Sequence, residues 1–117
     1  MYDAATIRAA YRAERSALAP YRPARISYSL KACPLLAVGA ILAGSGADAS
    51  AASLGEVLAA RRAGFAPSRI QLHGNAKTVE ELRGAFRAGV GRIVIDGADE
   101  IRALGGLVKR RSTPQDV

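Results

Sequence analysis

The sequence has few of the residues that build several common kinds of site. It contains one cysteine, one histidine and no tryptophan among its 117 residues. A single cysteine cannot form an internal disulfide, and it excludes a metal cluster held by several cysteines of this sequence. One histidine and scattered carboxylates lack the ligand spacing of a zinc site, so we predict no metal. The cysteine usage indicates a reducing compartment, and we expect the cytoplasm.

Long apolar runs are also missing. None reaches the roughly 18 residues that a membrane-spanning helix needs, although half of the residues are apolar. The N-terminal segment carries arginines where a signal peptide would carry its apolar stretch. An arginine-rich start is also typical of transit peptides, but Asp3 and Glu14 argue against that alternative. The composition predicts one folded domain with a buried core and no membrane partner.

The charge is strongly one-sided, with 17 basic and ten acidic residues and a net charge of +7. Such a charge favours an anionic partner, nucleic acid among them. However, the arginines are spread along the chain, and only four tyrosines and two phenylalanines are available for stacking on bases. Arg8, Arg12 and Arg15 form one helical stripe, which a solvated helix face explains better than a binding surface. We therefore predict no nucleic-acid partner.

Segments with helical and with strand periodicity alternate along the chain. Four short strands are predicted at residues 26–30, 47–50, 69–73 and 92–96. Helices are predicted at residues 3–18, 35–43, 54–63 and 79–88, with a short one ending near residue 104. Two S/T-x-x-E capping boxes, Ser53 with Glu56 and Thr78 with Glu81, mark helix starts. Three glycines, Gly44, Gly64 and Gly89, mark helix ends.

This alternation predicts right-handed βαβ crossovers and a parallel sheet. Four such units make either an open α/β layer or half of an eight-stranded barrel, and periodicity does not decide between them. In both architectures functional groups gather at the carboxyl edge of the sheet. That rule selects Lys31, Asp48, Ser50, His73, Asn75 and Asp96.

Lys31 follows an apolar strand in the string I-S-Y-S-L-K-A-C-P. A lysine amine is a poor nucleophile while protonated, and partial desolvation makes the neutral amine available to form an imine with an aldehyde such as pyridoxal phosphate. An ordinary solvated lysine is the commoner explanation, and the residues alone leave both open. The same holds for His73, which either lies near a cofactor or bonds its own turn, and for Glu56, which either balances a cofactor charge or caps a helix. For Cys33 we favour a small buried thiol over redox chemistry.

Four motifs in order carry a resemblance to a known family. They are Y-S-L-K-A-C-P, G-A-D-A-S-x-x-S-L-G-E, R-I-Q-L-H-G-N-A-K-T-x-x-E-L and A-G-V-G-R-I-V-I-D-x-x-x-E-I. Together they resemble the barrel domain of the fold-type III pyridoxal-phosphate decarboxylases. Within that family the chain is most similar to the diaminopimelate decarboxylases, with the ornithine and arginine decarboxylases as more distant relatives.

The resemblance implies an alanine-racemase-like (β/α)8 TIM barrel in which Lys31 binds pyridoxal 5'-phosphate through an imine. It places Asp48, Ser50, Glu56 and the turn from His73 to Asn75 near the cofactor. The histidine that stacks on the ring comes from a later strand of the family, so that role does not pass to His73. It further implies an amino acid substrate, meso-diaminopimelate above all, and a homodimer for the full-length form.

The family's phosphate loop, its glutamate for the pyridine nitrogen and its C-terminal β-domain have no counterpart in these 117 residues. We therefore expect residues 1–117 to be a partial barrel domain of about four βα units, with residues 114–117 leading into a fifth strand. A half-barrel should have open sheet edges and an apolar inner face, so we expect the chain to self-associate, to be partly molten or to need a complementing piece. We also expect weak cofactor binding, because Lys31 supplies the covalent link without the family's phosphate loop. The alternative is a non-catalytic barrel relative that binds the cofactor or a partner without turnover.

Overall fold

The computed structural model describes residues 2–21, 23–108 and 117. Within these ranges helices and short strands alternate, with a 3-10 turn at Pro67–Arg69 before the third strand. The helices are α1 Ala4–Ala17, α2 Leu36–Ser45, α3 Leu54–Arg62, α4 Val79–Ala88 and α5 Ala98–Val108. The strands are β1 Ser27–Ser29, β2 Asp48–Ala51, β3 Ile70–Leu72 and β4 Arg92–Ile93.

The four described strands form one parallel sheet in the order β1-β2-β3-β4. Each strand lies beside its predecessor in the chain, and a helix connects each pair. A doubly wound sheet reverses its strand order at a switch point, whereas a barrel adds each strand on the same side. The order therefore favours the (β/α) half-barrel over the open layer, and it confirms the predicted parallel α/β fold.

One face of the sheet packs against the helices and forms the core. Ala49, Ala51, Ile70, Leu72 and Ile93 are at most 1% exposed on this face. The helices meet them with small and branched side chains that are buried in the same cluster: Val38, Leu42, Val57, Ala60, Leu82 and Ala85. The core is thus one layer between the sheet and α2 to α4, to which α1 and α5 add Tyr11 and Leu104.

The opposite face of the sheet is polar. Ser29, Ser50, Gln71 and Arg92 are register partners and cross the sheet as one row. All four are half-buried or exposed, because alternate residues of a strand point to opposite faces. We refer to these four residues as the polar row. The prediction of an apolar inner face is therefore wrong, because each strand contributes a polar residue to this side.

The helix starts follow the capping residues. Thr78 and Glu81 form the full capping box: the Glu81 amide donates to Thr78 Oγ1 at 3.2 Å and the Thr78 amide to Glu81 Oε2 at 3.0 Å. Ser53 caps α3 by accepting from the Glu56 amide at 3.2 Å. The Glu56 carboxylate, however, accepts from the amide of Ala52 at 2.7 Å instead of from its own cap residue. The second predicted box is therefore a related cap that reaches one residue further back.

Helix ends depend on left-handed glycines. Gly64 and Gly89 follow α3 and α4 with φ of +97° and +71°, as predicted. After α2 the left-handed residue is Gly46, with φ of +92°, so this helix continues through Gly44 and Ser45. The prediction that Gly44 ends the helix is therefore wrong by two residues. The sequence G-S-G offers two glycines, and only the second closes the last turn.

Each helix in the described part of the chain is too short or too polar to cross a lipid bilayer. Of the segment at residues 114–117 that we expected to lead into a fifth strand, residues 114–116 lie outside the described ranges.

Candidate functional site

The carboxyl ends of the strands meet at one edge of the sheet, where the loops that follow them lie side by side. The ladder continues beyond the strands: the Leu30 amide donates to Ser50 O at 3.1 Å, that of His73 to Ala51 O at 2.7 Å and that of Val94 to Leu72 O at 2.9 Å. The four loops are therefore held in register with one another. This edge carries Lys31, His73, Asn75 and Asp96, as predicted.

Lys31 lies in the turn directly after β1. The turn is closed by the Ala32 amide, which donates to Ser29 O at 3.1 Å. The Lys31 residue is exposed. Among the described residues no carboxylate lies within ion-pair distance of its ammonium group. The Lys31 backbone is thus fixed at the edge of the sheet, and its exposed amine is accessible to a ligand.

Tyr28 shapes this turn from below. Its phenol donates to Cys33 O at 2.7 Å and thereby ties the strand to the end of the turn. Burial is the main cause that raises the pKa of Tyr28 to about 12, with the neighbouring thiol of Cys33 adding to it. Cys33 itself is half-buried and packs against the core, a little less enclosed than the buried thiol we favoured. Sequence reasoning did not single out Tyr28, although it stands three residues before Lys31 in the quoted motif.

Asp48 lies at the other edge of the sheet. It is the first residue of β2 and pairs in register with Ser27, so the prediction that it lies at the carboxyl edge is wrong. Its carboxylate accepts from Arg25 Nη2 at 2.8 Å and from Arg69 Nε at 2.8 Å. The predicted strand at residues 47–50 is shifted by one residue from the observed strand, which begins with Asp48 and ends with Ala51. Ser50, two residues on, lies in the polar row and is half-buried.

Glu56 is engaged by the backbone. It lies in the first turn of α3, half-buried, with one carboxylate oxygen accepting from the Ala52 amide in the loop after β2. Of the two readings that the sequence left open for Glu56, the cap is therefore the one for which the structure records a contact.

The loop after β3 runs through His73, Gly74 and Asn75. His73 and Asn75 are exposed, and among the described residues their side chains have no hydrogen-bond partner. His73 thus does not bond its own turn, which was one of its two readings. Gly74 touches the neighbouring loop so closely that a Cβ would lie 2.4 Å from the carbonyl oxygen of Ala52. Ala76, which follows Asn75, adopts a left-handed φ of +51°.

A buried ion pair lies behind this loop, and sequence reasoning missed it. The Lys77 and Glu100 side chains are 1% and 8% exposed, with Nζ and Oε2 2.8 Å apart. Glu100 also accepts from the amides of Lys77 and Asp96, each at 3.0 Å, and Lys77 Nζ donates to Gly74 O at 2.5 Å. Burial, the largest single effect, raises the pKa of Glu100, but the bonds from Lys77 and Asp96 together bring it below its usual value. Both residues are letters of the quoted motifs, K-T-x-x-E-L and D-x-x-x-E-I, and this was the available signal.

The structure thus brings together Lys31, His73, Asn75 and Asp96 at the carboxyl edge, with Ser50 on the sheet face beneath them. Asp48 is not part of this group. An exposed amine at this edge can attach a carbonyl compound, and the imidazole and amide side chains two strands away offer further polar groups at the same edge. In the described part of the chain, no three His, Cys, Asp or Glu residues are grouped so that they could hold a metal ion.

Comparison with known proteins gives consistent matches. The family model described as "Pyridoxal-dependent decarboxylase, pyridoxal binding domain" matches residues 4–115. A diaminopimelate decarboxylase of Actinosynnema pretiosum subsp. auranticum is 43% identical over 115 residues, which are 98% of this chain and 25% of that protein. The diaminopimelate decarboxylase of Mycobacterium tuberculosis is 38% identical over 94 residues, 80% of this chain and 21% of the relative. The chain therefore spans about a quarter of the length of these relatives.

Solved structures match in the same way. Diaminopimelate decarboxylase from Helicobacter pylori, crystallised in complex with L-lysine, superposes with a TM-score of 0.87 at 27% identity, over 93% of this chain and 27% of that one. Lysine/ornithine decarboxylase from Vibrio vulnificus, in complex with putrescine, superposes with a TM-score of 0.78 at 27% identity, over 90% of this chain and 28% of that one.

Proposed function

Because the chain belongs to the family of pyridoxal-dependent decarboxylases, we propose that it forms part of the cofactor-binding barrel of an amino acid decarboxylase. We propose that Lys31 is the residue that attaches pyridoxal 5'-phosphate. The substrate proposed is meso-diaminopimelate, which makes the reaction a step of lysine biosynthesis. When bound, the cofactor supplies an electron sink for the carbanion that decarboxylation leaves on an amino acid.

The observation that supports this proposal is the placement of Lys31. Its backbone is fixed by the turn from Ser29 to Ala32, and its exposed side chain meets no carboxylate among the described residues. A side-chain amine that is exposed and not engaged in an ion pair is open to approach by a carbonyl compound. The residues present therefore fit the aldehyde end of the cofactor.

The other residues of the edge have proposed roles that follow from their surroundings. His73 and Asn75 present unpartnered polar groups at the same edge of the sheet as Lys31, and Ser50 offers a hydroxyl on the sheet face beneath. Glu56 acts through the cap of α3, which fixes the loop after β2. We do not retain Asp48 as a cofactor ligand, because Arg25 and Arg69 already occupy its carboxylate at the opposite edge.

The test is covalent trapping of the cofactor. The chain is incubated with pyridoxal phosphate, reduced with borohydride, digested and analysed by mass spectrometry. We expect the modification on the peptide that contains Lys31, and none there in Lys31→Arg, which keeps a positive charge but cannot form the bond. Lys109→Arg is the matched control and should label as the unchanged chain does. Labelling that Lys31→Arg leaves unchanged would refute the assignment.

A second measurement separates the decarboxylase from a barrel that binds the cofactor without turnover. Carbon dioxide released from meso-diaminopimelate by the whole protein, and lost in Lys31→Arg, supports the decarboxylase. Labelling of Lys31 without release of carbon dioxide from meso-diaminopimelate, ornithine or arginine supports the non-catalytic alternative. Homodimeric assembly and a cytoplasmic location stay predictions of the same proposal.

A further inference from the structure

The Lys77–Glu100 pair connects two of the loops that form the candidate site. Lys77 ends the loop that begins at His73, and Glu100 lies in the first turn of α5, behind Asp96. The two side chains together bond three backbone groups: Gly74 O, the Lys77 amide and the Asp96 amide. Two of these groups belong to the loop after β3 and one to the segment after β4. The pair therefore links the two loops.

Stability is a poor explanation for a pair of this kind. Removing two charges from water carries a desolvation cost that their attraction often fails to recover, and apolar residues of similar volume frequently stabilise such a position as well or better. What apolar residues cannot do is bond the three backbone groups. Two roles of the pair can therefore be told apart. Stabilising the core needs only side chains that fill the space, whereas holding the backbone needs the charges and their hydrogen bonds.

We propose that Lys77 and Glu100 are positioning residues, which hold the loop from His73 to Lys77 against Asp96 so that His73 and Asn75 face the cofactor carried by Lys31. This rests on the proposed function for its last step only. Neither side chain reaches the site itself, as both are enclosed behind the loop. They act by fixing backbone, and the loop side chains do the binding.

The primary test uses the chain without cofactor and measures amide hydrogen exchange. Glu100→Gln keeps the shape of the side chain but removes its charge. We expect exchange at the Lys77 and Asp96 amides to become at least ten-fold faster, because both lose a bond to a carboxylate. The Val94 amide, which bonds Leu72 in the sheet, should exchange as before. If all three amides accelerate by the same factor, the variant has lowered global stability only, and the positioning role is refuted.

Asp99→Asn is the matched control. It removes the partner of Arg102 on the same helix, in an ion pair whose side chains are 94% and 76% exposed. An exposed pair contributes little, so exchange at all these amides should stay within two-fold of the unchanged chain. A ten-fold change at the Asp96 amide in this control would also contradict the proposal. Loss of any negative charge in the first turn of α5 would then explain the faster exchange, without the bonds of Glu100.

The second variant, Lys77→Met with Glu100→Leu, fills the space without charges. We expect its midpoint of urea unfolding to equal or exceed that of the unchanged chain. The dissociation constant for pyridoxal phosphate should nevertheless rise at least ten-fold, and the Asp96 amide should exchange as fast as in Glu100→Gln. Unchanged cofactor affinity with normal Asp96 protection would overturn the inference. If the unchanged chain does not label at Lys31, the proposed function fails, whereas the exchange result still decides whether the pair fixes the loop.

Discussion

Gly74→Ala tests whether the candidate site depends on the close approach of two loops. A Cβ at Gly74 would lie 2.4 Å from the carbonyl oxygen of Ala52 and 3.2 Å from its carbonyl carbon. Both neighbours are backbone, so no side chain can rotate away. Lengthening the 2.4 Å contact with the oxygen to a tolerable 3.0 Å requires a shift of at least 0.6 Å. Forced overpacking of this kind costs about 1–3 kcal/mol.

The measurement is the free energy of unfolding in urea, combined with the extent of cofactor trapping at Lys31. We expect Gly74→Ala to lose about 1–3 kcal/mol and to trap less cofactor, because His73 precedes the displaced residue. Gly44→Ala is the control: it lies within α2 with nothing within 4 Å of the added Cβ. That variant should gain about 0.5–1 kcal/mol, since alanine favours helix. A Gly74→Ala chain as stable as the original would refute the close-approach explanation.

Three further outcomes are expected. The pKa of Tyr28 is raised to about 12 from about 10 in the unfolded chain, so its contribution to the free energy of unfolding is complete below pH 10 and is lost as the pH rises to 12. In Tyr28→Phe the fall in the free energy of unfolding over this pH range should be smaller by about 2 kcal/mol, and a pH profile identical to that of the original chain would contradict this prediction. Thr78→Ala should lower the free energy of unfolding by about 1 kcal/mol and weaken the helical circular-dichroism signal, because the cap of α4 is lost. An unchanged free energy of unfolding and helix signal would contradict the role of the cap. Asp48→Asn should cost about 0.5–1 kcal/mol at low salt and less at high salt, because Arg25 and Arg69 are partly exposed; a cost independent of salt would argue against the ion pairs.

The parts of the fold that local chemistry specifies could be predicted from the sequence. Thr78 with Glu81 marked the start of α4, and Gly89 marked its end, because caps depend on residues within one turn of each other. The alternation of strand and helix gave the parallel sheet. The barrel-like strand order could not be obtained this way, since helix and strand periodicity are the same for an open layer.

What failed depends on contacts between distant segments. Asp48 was placed at the wrong edge because register is set by the neighbouring strand, here through the pairing with Ser27. Lys77 was overlooked because a lysine in a polar loop is usually solvated, and only the packing of α5 places Glu100 23 residues away against it. Lys31 could be proposed from the sequence because a strand end is a local feature and because the resemblance to a family singled it out.

The polar row has a consequence for the synthesis of the protein. Domains of growing chains begin to fold as they leave the ribosome, when later strands are not yet available. A sheet whose open face was apolar would expose an aggregation-prone surface throughout that interval. Ser29, Ser50, Gln71 and Arg92 can instead remain hydrated, and β4 is only two residues long with Arg92 at its start, which weakens pairing with another nascent chain. The sheet of β1 to β4 can therefore remain in water during synthesis without exposing an apolar open face.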